Sequence, residues 1–171
     1  MLQFFLTPIK SRPVHFLGML VAFALLGFGG GYAHAAAAFD RLVGSWAGSG
    51  SIELTSGARE ALKCRAKYDV SGDTLQLYIK CASDSYNFEL SSTVNVVGSA
   101  VTGTWSESPH GASGSVAGTA SGESIRVKAE AGNFTANLSL TTHTNSQTVS
   151  IRTANPDAGI KGATINMKRG S

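Results

Sequence analysis

CRAKYDVSGDTLQLYIKC, residues 64–81, has a cysteine at each end and a Gly72-Asp73 pair near its middle. On both sides of that pair apolar and polar residues alternate, the period of a strand with one buried face. A two-residue turn at Gly72-Asp73 folds the stretch into an antiparallel hairpin. That turn sets Cys64 opposite Cys81. It also sets Ala66, Tyr68 and Val70 opposite Ile79, Leu77 and Leu75 on one face, and Arg65, Lys67 and Asp69 opposite Lys80, Tyr78 and Gln76 on the other. Counting outward from the turn makes the cysteines a non-hydrogen-bonded pair, whose Cα atoms stand about 4.5 Å apart and within reach of a disulfide. Closing a loop of roughly 18 residues stabilises by ~3 kcal/mol, less where the unfolded chain keeps part of the hairpin. Cys64 and Cys81 therefore read as a structural staple rather than a redox or metal pair.

The same logic extends along the chain. Short alternating runs separated by Gly, Ser, Asn and Asp predict ten strands, at residues 49–55, 59–70, 73–82, 86–97, 100–106, 113–120, 123–131, 134–142, 147–153 and 162–169. Turns at Gly98-Ser99, Ser121-Gly122 and Gly132-Asn133 would bring Val96 opposite Val101, Val116 opposite Val127, Ile125 opposite Leu140 and Val127 opposite Leu138. Apolar residues meet apolar ones throughout. No stretch beyond the N-terminal segment shows helical recurrence of apolar residues. A long antiparallel meander with one apolar face must bury it by closing into a barrel or by folding over as a sandwich. The all-β, up-and-down barrel is the expectation, with a Greek-key β-sandwich as the alternative.

The first 35 residues read as an export signal. Lys10 and Arg12 precede an unbroken apolar run, FLGMLVAFALLGF at 16–28, and Ala33-His34-Ala35 supplies a small-x-small cleavage pattern. As a helix that run rises only about 20 Å, against a hydrocarbon core of ~30 Å, so a signal peptide is favoured over a permanent span. Cleavage after Ala35 leaves one domain at 36–171, released to the periplasm or secreted. Of the 14 basic residues two lie in the leader, which leaves 12 against 11 acidic ones and a formal charge of +1. Those 12 are scattered singly, which argues against nucleic acid as a partner. In an oxidising compartment two cysteines are expected to pair.

The segment Phe39-Asp40-Arg41-Leu42-Val43-Gly44-Ser45-Trp46-Ala47-Gly48-Ser49-Gly50 resembles the opening strand of the calycin group, the lipocalins, avidins and related small barrels, at its Gly44-x-Trp46 core. Gly103-x-Trp105 has a similar, avidin-like look. The resemblance implies that Trp46 plugs one end of a barrel and that a basic residue near the end of the last strand lies across its ring. Arg169, in face parity with Ile165 and Met167, would fill that part, with Lys168 as the alternative. The chain departs from lipocalins and avidins in counting ten strands rather than about eight. It is also similar to a small family of exported bacterial proteins without an assigned activity.

Catalytic chemistry needs convergent titratable groups, and here they are dispersed. His110 and His143 fall in polar turns, with no spacing typical of metal ligands. Glu53, Asp69, Glu89, Glu123 and Glu130 fall mostly at outward parity, and no serine sits in a nucleophile elbow. The chain thus reads as non-enzymatic, with no cofactor and no metal. Inward bulk at Tyr68, Leu77, Ile79, Tyr86, Phe88 and Leu90 contrasts with inward Gly103, Gly114, Gly118, Ala129 and Ala136, which either leave a cavity or let the walls touch. The expected function is binding of a small apolar ligand, with Tyr68, Tyr86, Phe88 and Trp105 as its candidate residues. The alternative is an interaction protein such as a protease inhibitor or envelope component, docking an envelope protein through the loops at 107–112 and 155–159. Small bacterial metalloprotease inhibitors resemble the chain in being exported, disulfide-bearing barrels with an early Gly-x-Trp, but they act through an extended N-terminal arm.

Overall fold

A computed structural model describes residues 38–155 and 159–170. The expected signal peptide lies outside the described residues. Ten strands follow in chain order: β1 (Gly44–Leu54), β2 (Arg59–Ser71), β3 (Thr74–Ala82), β4 (Asn87–Val97), β5 (Ala100–Glu107), β6 (Ala112–Ser121), β7 (Ser124–Ala131), β8 (Phe134–His143), β9 (Ser146–Thr153) and β10 (Ile160–Arg169). Each pairs antiparallel with its neighbours in sequence, and β1 also pairs with β10. The meander is therefore a closed barrel and not a sandwich, and closure leaves no unpaired edge.

The hairpin of β2 and β3 has the expected register, Cys64 opposite Cys81 and Tyr68 opposite Leu77. The cysteines form a disulfide with their Cα atoms 4.2 Å apart, as a non-hydrogen-bonded pair should stand. Gly72 takes a φ of 57° at the first turn position, which a residue with a Cβ adopts only with strain.

Two expectations need correction. The turn between β6 and β7 is Gly122-Glu123, not Ser121-Gly122, so Val116 lies opposite Ala129, and Val127 opposite Gly118. Gly122 has a φ of 57° and, like Gly72, opens the turn, which moves the pairing by two residues. An even shift keeps every side chain on its face, so the core assignment survives. The first strand also starts earlier than residue 49, at Gly44. Its Ser, Gly and Ala content signals a strand poorly, but pairing with both β2 and β10 overrides that weak propensity.

The two ends of the barrel differ. At the lower end, where β1 starts and β10 finishes, a single helical turn at 38–40 leads into the barrel and contributes Phe39. Phe39, Leu42 and Trp46 are each about 1% exposed. The Trp46 indole donates to the Leu42 carbonyl at 2.7 Å, so its polar edge is satisfied while its rings fill the core. At the upper end lie the connections β1–β2, β3–β4, β5–β6, β7–β8 and β9–β10, the last of which includes residues 156–158 outside the described set.

The inward glycines have a local explanation. A Cβ at Gly103 would overlap the Thr93 carbonyl oxygen on β4, and one at Gly114 the Glu130 carbonyl oxygen on β7. The neighbouring strand's backbone occupies the place of the missing side chain, as at the sharp bends of a small barrel. These glycines thus serve coiling of the wall, a reading distinct from both a ligand cavity and contact between opposite walls.

Candidate functional site at the barrel mouth

Sheet parity places Glu107, the last residue of β5, on the same face as Val101 and Trp105. It is 9% exposed, deeply buried for a carboxylate. One oxygen, Oε2, accepts the His110 backbone N–H at 2.8 Å and lies 3.0 Å from His110 Nδ1. The other oxygen, Oε1, is buried and has no partner. Burying a charged oxygen without a donor is costly, so this atom stands out in a strand surface that otherwise satisfies its carboxylates. Glu53 meets Arg59, Glu89 meets Lys80, Glu123 meets Arg41 and Glu130 meets Lys128.

Tyr86 stands against this group. Its ring stacks on His110, with centroids 5.2 Å apart and planes at 15°. The loop that carries it is held by Glu60, whose carboxylate accepts from Ser83 Oγ at 2.7 Å, from the Ser85 N–H at 3.0 Å and from Ser85 Oγ. Those hydrogen bonds, the Ser83 hydroxyl first, hold the Glu60 carboxyl below its ordinary pKa. Tyr86 is tied to the same loop, its carbonyl accepting the Ser83 N–H at 2.7 Å. Burial, and then the nearby Glu107 charge, push the Tyr86 phenol above its ordinary value.

The surroundings are apolar and incompletely covered. Leu54, Tyr86, Phe88, Leu90, Phe134 and Ile160, at or near the upper end, are only partly buried although they pack on the core. Beneath them Ile52, Leu62 and Cys81 are buried almost completely. Trp105 stands two residues before Glu107 and meets Phe134 edge-on at 5.9 Å. Its indole N–H donates to the Ser115 carbonyl at 3.1 Å.

The four expected ligand residues therefore divide. Tyr86 and Phe88 stand at the upper rim and Trp105 lies below it on β5. Tyr68 sits toward the lower end, opposite Gly44, where its hydroxyl donates to Gln147 Oε1 at 3.0 Å. Gln147 in turn reaches Thr142 Oγ1 at 3.4 Å, closing a buried polar chain. The expected end of β5 at 106 puts Glu107 in the polar 107–112 connection, whereas the structure makes it the last, inward residue of β5. Parity from Val101, Gly103 and Trp105 was the signal that could have found it. In the 107–112 connection Glu107 is buried, whereas Ser108, Pro109, His110 and Gly111 are exposed.

Two open grooves lie on the outer wall. One, of about 650 Å³, runs past Lys67, Tyr78, Thr93 and Ser106 and is also lined by Leu77 and Trp105, one of the expected ligand residues. The other, of about 410 Å³, is flanked by Arg126, Lys128 and Arg152. Among the described residues no helix is long and apolar enough to cross a membrane.

The barrel is similar to that in the crystal structure of Rv2717c from M. tuberculosis, with a TM-score of 0.66 and 14% identity, covering 82% of this chain and 99% of that one. It is also similar to the S-type phycobiliprotein lyase CPES from Guillardia theta, with a TM-score of 0.52 and 14% identity, covering 78% of this chain and 90% of that one. No protein-family model matches the chain, and no curated protein matches it in sequence. The likeness is one of fold, an antiparallel barrel of ten strands.

Proposed function

We propose that the chain is an exported, non-catalytic barrel that binds a small, largely apolar molecule at its upper mouth. The observation that carries this reading is the contrast between the ends. At the lower end Phe39, Leu42 and Trp46 are buried, with Val70, Ile125 and Leu140 partly exposed there, whereas at the upper end the larger side chains Phe88, Leu90 and Phe134 keep apolar surface within reach of solvent. Apolar walls with a few placed polar groups are the usual build of a ligand site. Transfer of the half-buried surface to a ligand is favourable by about 25 cal/mol per Å². The barrel is also the fold of a phycobiliprotein lyase, a likeness that supports small-molecule handling by the fold alone. The Cys64–Cys81 disulfide fits an oxidising compartment, in keeping with the expected export signal.

The test is native mass spectrometry of gently purified mature protein. A mass increment that disappears on denaturation is the expected result, or, for protein stripped by solvent extraction, saturable uptake of a neutral fluorescent probe. A folded protein that carries nothing and takes up no probe contradicts the proposal.

A further inference from the structure

The half-coordinated carboxylate of Glu107 points to the chemistry of the ligand. We infer that Glu107 Oε1 receives a cationic N–H donor, a primary ammonium, of a ligand whose apolar part rests on Tyr86 and Phe88. This rests on the proposed mouth site and adds the ligand's polar end to it. Three observations converge on one place. The side chain is nine-tenths buried and one of its oxygens has no donor. The donors it does have, both from His110, are confined to Oε2. Its one ion-pair partner among the described residues is His110, which is charged only when protonated and reaches Oε2 alone, whereas the carboxylates of the outer wall meet Lys or Arg.

An ammonium supplies what the site lacks. It carries three N–H donors and a compact positive charge, and a charge-assisted bond to a carboxylate is roughly twice as strong as a neutral one. The aromatic faces beside it also favour a cation over an anion. An anionic ligand would place a second negative charge beside a buried carboxylate. A neutral alcohol offers Oε1 one hydroxyl hydrogen bond but no positive charge.

Three probes of equal chain length separate these cases: octylammonium, octanoate and 1-octanol, titrated calorimetrically into the full mature protein near neutral pH. Octylammonium is expected to bind about tenfold or more tightly than either of the others, the gain of a charge-assisted over a neutral hydrogen bond at a buried carboxylate. Amide NMR shifts at residues 86–90 and 107–112 should locate all three at the mouth. In Glu107→Gln, which keeps the shape and removes the charge, the preference should shrink to about twofold or less while 1-octanol binds as before. Equal affinity of all three probes for the wild-type protein overturns the role of Glu107 and leaves the apolar site standing. No binding of any probe overturns both. If Glu107→Gln fails to fold, the wild-type preference among the probes decides alone.

Discussion

The guanidinium carbon of Arg169 lies 4.4 Å from the centroid of the Trp46 ring, joining the end of β10 to the start of β1. Arg169 also donates to the carbonyls of Arg41, Val43 and Thr144. One side chain thus closes the lower end by stacking on the plug and by ordering the strand entry and the β8–β9 turn. A planar fork with several donors suits both tasks, and a lysine matches neither fully. Replacing Arg169 with Ala should lower stability by about 1 to 3 kcal/mol, and Arg169→Lys should recover less than half of that loss. Urea unfolding followed by Trp fluorescence measures it; an Arg169→Ala protein as stable as wild type would show that the stack contributes nothing.

The disulfide joins adjacent strands that already pair, so its removal should weaken the fold without redirecting it. The double variant Cys64→Ala, Cys81→Ala is expected to lose ~2 to 4 kcal/mol and to keep its β-rich circular dichroism spectrum. Free-thiol titration of protein exported in vivo should find none in the wild type, and two thiols per chain would refute the staple.

Gly103 has no room for a methyl group beside the Thr93 carbonyl and Val94. Gly103→Ala should therefore cost about 1 to 3 kcal/mol despite being a small change, the usual range for overpacking. Ala117, exposed on the outer wall of β6, offers the control: Ala117→Ser should stay within about 0.5 kcal/mol. Comparable stability of the two variants would mean that β4 and β5 can separate at no cost.

Tyr68 ties stability to alkaline pH. Burial drives its phenol pKa above the ordinary value of 10.0. Below about pH 10 the phenol is neutral in both states and no stability is lost through it. As the pH rises further the unfolded phenol ionises and the buried one keeps its proton, so the unfolded state is favoured and stability falls. Tyr68→Phe should lower stability by about 1 kcal/mol at neutral pH, because Gln147 loses its partner, yet show a shallower decline above about pH 10. Parallel declines in the two proteins would mean that the Tyr68 phenol ionises freely in the folded state.

Local features of the chain carried most of the architecture. Gly72-Asp73, the cysteines and the alternation on both sides agree on one register, and the folded hairpin has it. The β6–β7 turn was misplaced because Ser121-Gly122 and Gly122-Glu123 both supply a glycine, and only the backbone shows that Gly122 takes the first position. The pairing of β1 with β10 joins segments far apart in sequence, and its one local trace was the Trp46 and Arg169 combination implied by the calycin resemblance. The site was less legible. Alternation assigns a side chain to the inner face but gives no height along the barrel, so Tyr68 was grouped with Tyr86 although they stand toward opposite ends. Glu107 was hidden by a strand boundary one residue short, at the point where an inward carboxylate contradicts the expected pattern.

The central claim, an apolar binding site open at the upper end, is tested most directly by titrating N-phenyl-1-naphthylamine into stripped wild-type protein and two variants. Ala131→Trp adds bulk at the mouth, on the inward face where Ala131 pairs with Phe134, and Arg169→Lys alters the lower end. One saturable site in the wild type, retained in Arg169→Lys and lost in folded Ala131→Trp, is the predicted result. Folded wild-type protein with no saturable uptake, or uptake indifferent to Ala131→Trp, would contradict it.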